Sequence, residues 1–163
     1  MKKKIGRKDA MRMVLNTLSA VRRAQLEVRK AKIRAKSMSK LVSKEEYNNL
    51  LIVLETIDVV LERVALRLQT ILASGILTRD LILLPKAVIE RTAELSSTIP
   101  PSLTQSLAEI TDMLEVLAAI APTPPDTPIY SLEAQPPSEE IEEVLREARE
   151  EARKRLEPEG MIG

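Results

Sequence analysis

The chain contains no cysteine, no histidine, no tryptophan and no phenylalanine. Each absence closes a class of function. Without cysteine there is no disulfide. Without cysteine and histidine the usual ligands of zinc, copper and haem are missing, as is the Glu-x-x-His motif of di-iron bundles. Serine–histidine and cysteine–histidine nucleophile pairs cannot be built. The four glycines, Gly6, Gly75, Gly160 and Gly163, are scattered and form no phosphate-cradling loop. Carboxylate, lysine and magnesium chemistry stay open, but the reading is of a non-enzyme: no catalytic residue, no metal, no cofactor and no small-molecule substrate. No stretch approaches the ~20 apolar residues needed to cross a bilayer. No apolar segment with a small-residue cleavage site follows the charged N-terminus. The only aromatics are Tyr47 and Tyr130. A core of Leu, Ile, Val, Ala and Met suits elongated helices packing along seams.

What is present is charge, sorted along the chain. The net charge of +1 is the sum of +12 over residues 1–42, −5 over 43–121 and −6 over 122–163. A basic front and an acidic rear suggest an anionic partner for the first segment and attraction between the two ends. Lys2, Lys3, Lys4, Arg7 and Lys8 form a basic N-terminal arm (residues 1–8), read either as a solvated end or as an arm for an anionic surface. From Asp9 to about Leu41 the pattern is helical, with Met11, Val14, Leu15, Leu18, Val21, Val28 and Ala35 as the apolar stripe and Leu26 and Ile33 beside it. The other face carries Arg22, Arg23, Arg29, Lys30, Lys32, Arg34, Lys36 and Lys40. Glu27 is the one acid between Arg12 and Lys40. A solvated helix face normally mixes both signs to gain i,i+4 pairs, so a one-sign face points to phosphate, from lipid headgroups or nucleic acid.

The second helix is the clearest element. Tyr47, Leu50, Leu54, Ile57, Leu61, Val64, Leu68 and Ile71 keep a 3-4 spacing, after a Ser43-x-x-Glu46 capping box and before Gly75. The short connection about residues 39–44 forces it antiparallel to the first helix. It carries a second apolar set, in which Leu51, Ile52, Val59, Val60 and Leu66 are read as a self-assembly surface. Thr78-Arg79-Asp80 opens a third helix to about Ser97, with a kink or restart expected at Pro85. Gly75 and Pro85 are the candidate hinges. A box at Ser102-x-x-Gln105 opens a fourth helix to about Ala121, with the stripe Leu103, Leu107, Ile110, Leu114, Leu117 and Ala121. Residues 122–137 hold six prolines and read as an extended linker with an apolar cluster at Ile129, Tyr130 and Leu132. Ser138 is expected to cap a last helix to about Leu156, in a terminal unit of residues 138–163, whose narrow apolar face is Ile141, Leu145, Ala148 and Ala152. The fold expected is all-α: a long antiparallel helical hairpin with shorter packed helices over residues 9–121, a proline-rich linker and a C-terminal helix.

This arrangement resembles the ESCRT-III family, and within it the archaeal cell-division branch of CdvB type. The stretch that carries the likeness is Val59-Val60-Leu61-Glu62-Arg63-Val64-Ala65-Leu66-Arg67-Leu68-Gln69-Thr70, similar to a Leu-Glu-x-Val-x-Leu-Arg-Leu-x-Thr run in that branch's second helix. The resemblance implies a polymer subunit that assembles on anionic membrane. It would act in membrane remodelling or scission, including cell division, as a cytoplasmic protein peripheral at the inner face. It implies membrane contact through the basic first segment and a rod formed by the second and third helices on activation. It also implies a closed form held by the acidic C-terminal helix, which is expected to compete for the basic hairpin. A disassembly ATPase of AAA type is the implied further partner. In the family's ATPase-binding helix the pattern is acid-x-x-Leu-x-x-Arg-Leu-x-x-Leu-basic. Glu142, Leu145 and Arg153 match it, whereas Ala148, Arg149 and Ala152 stand where Arg, Leu and Leu are expected. The partner-binding set is thus Ile141, Leu145, Ala148, Arg149, Ala152 and Arg153, with the proline-rich linker as the other candidate recruiter.

Two other functions use the same features. A nucleic-acid-binding helical protein would use the basic face for phosphate, but that segment lacks interleaved aromatics for base stacking. A coiled-coil adaptor or capsid-like helical polymer would use the face for protein or a packaged genome.

Overall fold

The computed structural model describes residues 6–94, 99–122 and 136–157. These form five helices: α1 (Arg7–Ser37), α2 (Lys44–Ser74), α3 (Arg79–Ala93), α4 (Pro101–Ile120) and α5 (Ser138–Leu156). The fold is all-α, as the periodicities require. Two 31-residue helices, α1 and α2, form the hairpin, each roughly 46 Å long at 1.5 Å per residue.

Local chemistry explains where α2 begins and ends. Ser43 Oγ accepts a hydrogen bond from the Glu46 N–H at 3.1 Å. At the far end Gly75 is left-handed, with φ 70°, and its N–H donates to Ile71 O at 2.7 Å. A methyl group at Gly75 would strike the Arg7 guanidinium. That cation thus sits at the C-terminus of α2, whose last turn has no basic residue, where it complements the helix dipole. The chain turns at Gly75, so α2 and α3 are separate helices here and do not form a continuous rod.

The hairpin seam pairs unlike faces. α2 contributes large residues: Leu54, Ile57, Leu61, Val64, Leu68 and Ile71 are all buried. α1 contributes small ones: Val14, Thr17, Ala20, Val21, Ala24, Val28, Ala31 and Ala35. Alanines allow close approach of the α1 backbone, and the larger branched side chains of α2 fill the remaining space. Leu15, assigned to the core stripe from its hydrophobicity, is instead 51% exposed. The core side of α1 is chosen by its alanines.

α4 packs on α1 and on α3, while α5 packs on α2 and on α3. The α4 stripe is buried as expected, from Leu103 to Ala121, but its start is different. Pro101 takes the first helical position after Pro100, and no side-chain cap closes the end. Ring-fixed φ replaces the Ser102 box. Ser138 likewise is the first residue of α5 rather than its cap.

Pro85 does not break α3, which runs unbroken from Arg79 to Ala93. A proline removes the N–H that would bond the carbonyl four residues back, here that of Leu81. The Arg67 guanidinium of α2 donates to Leu81 O at 3.4 Å and takes up that acceptor.

Candidate functional site: the basic face of α1 and the docked α5

The outer face of α1 is strongly cationic. At 100° per residue, the buried Val14, Ala24, Val28 and Ala35 lie on one side of the helix. Lys8, Arg12, Arg22, Arg23, Arg29, Lys30, Arg34 and Lys36 are all exposed on the other, and Lys40 is exposed in the turn that follows α1. Among the described residues, Lys30 is the single one of these nine with a carboxylate within ion-pair distance, Glu27 at 3.5 Å. Arg22 donates to Gln25 Oε1 at 3.0 Å. The face therefore presents nearly uncompensated cations to solvent, the arrangement that binds an anionic surface by multiple weak contacts.

Five members of the predicted basic set stand apart. Lys32 points into the α1–α2 seam, where its Nζ lies 2.6 Å from Glu55 Oε2. It is a structural cation and not a surface one. Arg7 is at the α2 terminus described above. Lys2, Lys3 and Lys4 lie outside the described residues.

A second electrostatic cluster fastens α5. Glu55, Asp58 and Glu62 line one edge of α2, one turn apart. Arg155 Nη1 lies 3.5 Å from Glu55 and 3.3 Å from Asp58, and Nη2 lies 2.8 Å from Glu62. Lys32 closes the cluster from α1. Arg63 pairs with Glu147 at 3.5 Å and Arg91 with Glu142 at 3.3 Å. Since Glu147 precedes Arg155 while Arg63 follows Glu62, α5 runs antiparallel to α2. Burial pushes the Asp58 carboxyl above its ordinary range; Lys32 and Arg155 pull it down, while Glu55 and Glu62 push it further up. The Arg155 guanidinium is held charged more firmly, first by its hydrogen bond to Glu62.

Docking of α5 changes the status of two predicted surfaces. Leu51, Val59 and Val60, read as self-assembly residues, are buried within the chain. Ile52 is half-buried beside a cavity of about 250 Å³ that Arg149 and Arg153 also line. Leu66 alone of the set is well exposed, at 54%. On α5, Ile141, Leu145, Ala148 and Ala152 are buried against the hairpin, leaving Arg149 and Arg153 outside. The intervening residues 123–135, with Ile129, Tyr130 and Leu132, lie outside the described residues. A further cavity of about 180 Å³ lies between α2, α3 and α5, lined by Val60, Val64, Leu84, Pro85, Val88, Val144, Arg63 and Arg67.

Among the described residues no cluster of His, Cys, Asp or Glu has metal-binding geometry, and no helix is long and apolar enough to cross a membrane. No protein-family model, no curated protein and no solved structure matches this chain.

Proposed function

We propose that this chain is a subunit of a filament that assembles on anionic membrane, of the kind the ESCRT-III resemblance implies, and that α1 is its membrane-facing element. The observation that carries the reading is the solvent face of α1: eight exposed cations, with one carboxylate within ion-pair distance, opposite the hairpin core. A lipid headgroup layer is a plane of negative charge, and a straight helix of roughly 46 Å can lay such a face along it. In this reading α5 holds the subunit closed: it packs on α2, whose Leu51, Val59 and Val60 are buried. Polymerisation, remodelling or scission at cell division, the inner-face location and an AAA-type disassembly partner belong to the same reading and rest on the resemblance.

The test is co-sedimentation with vesicles of neutral phosphatidylcholine carrying rising fractions of phosphatidylserine. Binding is expected to grow with the anionic fraction and to fall with salt. Reversal of Arg22, Arg23, Arg29 and Lys30 to Glu should weaken it by at least about 100-fold, given roughly 1 kcal/mol per cation near an anionic surface. Binding indifferent to lipid charge would sink the proposal. Binding to duplex DNA but not to vesicles would move the assignment to nucleic acid.

A further inference from the structure

The cationic face of α1 carries a feature that charge attraction does not need. Leu15 is 51% exposed, Leu26 52% and Ile33 69%. Single exposed apolar residues are ordinary, but these three are aligned. Separations of 11 and 18 residues place them within about 20° of one another on the helix. They form a line along the middle of the solvent face, interleaved with Arg22 and Arg29 and flanked by Arg12, Arg23 and Lys30 on one side and Lys36 on the other. The line runs roughly 27 Å from Leu15 to Ile33. Beyond it, the turn at the hairpin tip exposes Met38, Leu41 and Val42, with Leu41 at 79%. Lys36, Lys40 and Lys44 surround that tip, with Glu45 and Glu46 on its α2 side.

We infer that this line of apolar side chains, continued at the tip, enters the headgroup layer when α1 lies on an anionic bilayer. The inference rests on the membrane reading above and adds a second, non-electrostatic source of binding. The occupant is chosen by chemistry. A second copy of the same face would bring two sets of cations together, which like-charge repulsion opposes. A nucleic-acid backbone would engage the cations but has no use for three aligned aliphatic side chains. An anionic bilayer satisfies both features: phosphates and carboxylates for the cations, and the headgroup–acyl boundary for Leu15, Leu26, Ile33 and Leu41. Lys and Arg stems extend from such a line toward the headgroups while their methylenes cover its flanks. The line is one residue wide, so insertion is shallow. Binding should therefore favour bilayers with packing defects, such as small, highly curved vesicles.

The chain has no tryptophan, so Ile33→Trp introduces a single reporter into the full-length protein. On phosphatidylserine-containing vesicles its emission should shift to the blue and be quenched by lipids brominated near the headgroup end of the acyl chain. A Gln69→Trp reporter, on an exposed position of α2, should remain unquenched. The triple variant Leu15→Ser, Leu26→Ser, Ile33→Ser alters exposed positions and should keep its helix content and thermal transition. Its vesicle partitioning should fall about fivefold per residue, on the order of 100-fold in all, and the preference for small vesicles should disappear. If vesicle binding depends on charge but the reporter is unquenched and the triple variant binds like the parent, insertion is wrong and the membrane reading stands. If the parent binds no vesicle at all, both fall. If the parent self-associates without lipid and the triple variant does not, the line is a contact between subunits and the inference is overturned.

Discussion

Pro85 and Arg67 illustrate how a single missing hydrogen is accommodated. Leu81 O has no helical donor because residue 85 is proline, and the Arg67 guanidinium reaches across from α2 to donate to it. An unsatisfied carbonyl in a partly buried place costs about 1–3 kcal/mol. Replacing Arg67 with Met should thus destabilise the protein by roughly 1 kcal/mol in urea unfolding. In a Pro85→Ala background, where residue 85 has its own N–H, the same replacement should cost much less. Equal costs in the two backgrounds would show that Arg67 acts elsewhere. Gly75 is the other singular residue. Its φ of 70° and the adjacent Arg7 guanidinium both oppose a side chain. Gly75→Ala is therefore expected to lose about 1–2 kcal/mol, readable as a lower urea midpoint with an unchanged slope.

Among the helices, α5 has the largest stake in electrostatics. Its apolar face is narrow, with two alanines among Ile141, Leu145, Ala148, Ala152 and Leu156. Its register is fixed by the Arg155 contacts with Glu55, Asp58 and Glu62. Arg155→Gln leaves three carboxylates within two turns of α2 facing Lys32 alone. The expected cost is about 1–3 kcal/mol, localised enough to appear as faster amide exchange in α5 while the α1–α2 seam stays protected. Asp58 adds a pH dependence of defined sign. Its carboxyl titrates higher in the folded chain than in the unfolded one, so its ionised form works against the docked state. That penalty is present in full above the raised pKa and is relieved as pH falls through it toward the unfolded value. Asp58→Asn should be the more stable form at neutral pH, and its advantage should shrink on acidification into the carboxylate range. An advantage that grows on acidification would contradict the assignment.

Across the molecule, the basic α1 and the acidic α5 do not pack together among the described residues. The acidic C-terminal helix was expected to compete for the basic hairpin, yet α5 lies on α2 and α3 and makes no packing contact with α1. Among the described residues, α5 therefore leaves the cationic face uncovered in the closed subunit. This separates two consequences of removing residues 138–163. Self-association should rise, because the α2 surface under α5 is uncovered, and electron microscopy distinguishes ordered filaments from amorphous aggregate. Vesicle affinity per subunit, measured below the assembly concentration, should change by less than about threefold, since no cation on the face is released. A large gain in affinity at that concentration would mean that the tail masks the face after all.

Much of this was legible in the order of residues. Helix number and type followed from 3-4 spacing, as in Leu54 to Ile71 and Leu103 to Leu117, because burial along one stripe is a property of a helix before it finds a partner. The cationic character of α1 was equally plain. Other features needed the packed chain. Leu15 and Ala24 exchange the roles their hydrophobicities suggest, because close approach of two backbones rewards small residues. Lys32 turns inward because Glu55, 23 positions away, is within reach. Leu51, Val59 and Val60 are buried in the closed subunit because α2 packs against segments far from it in sequence, α5 among them. Local pattern specifies which residues seek burial or charge. Which partner each one meets depends on contacts between distant segments, and here those contacts set α1 outward and α5 across α2.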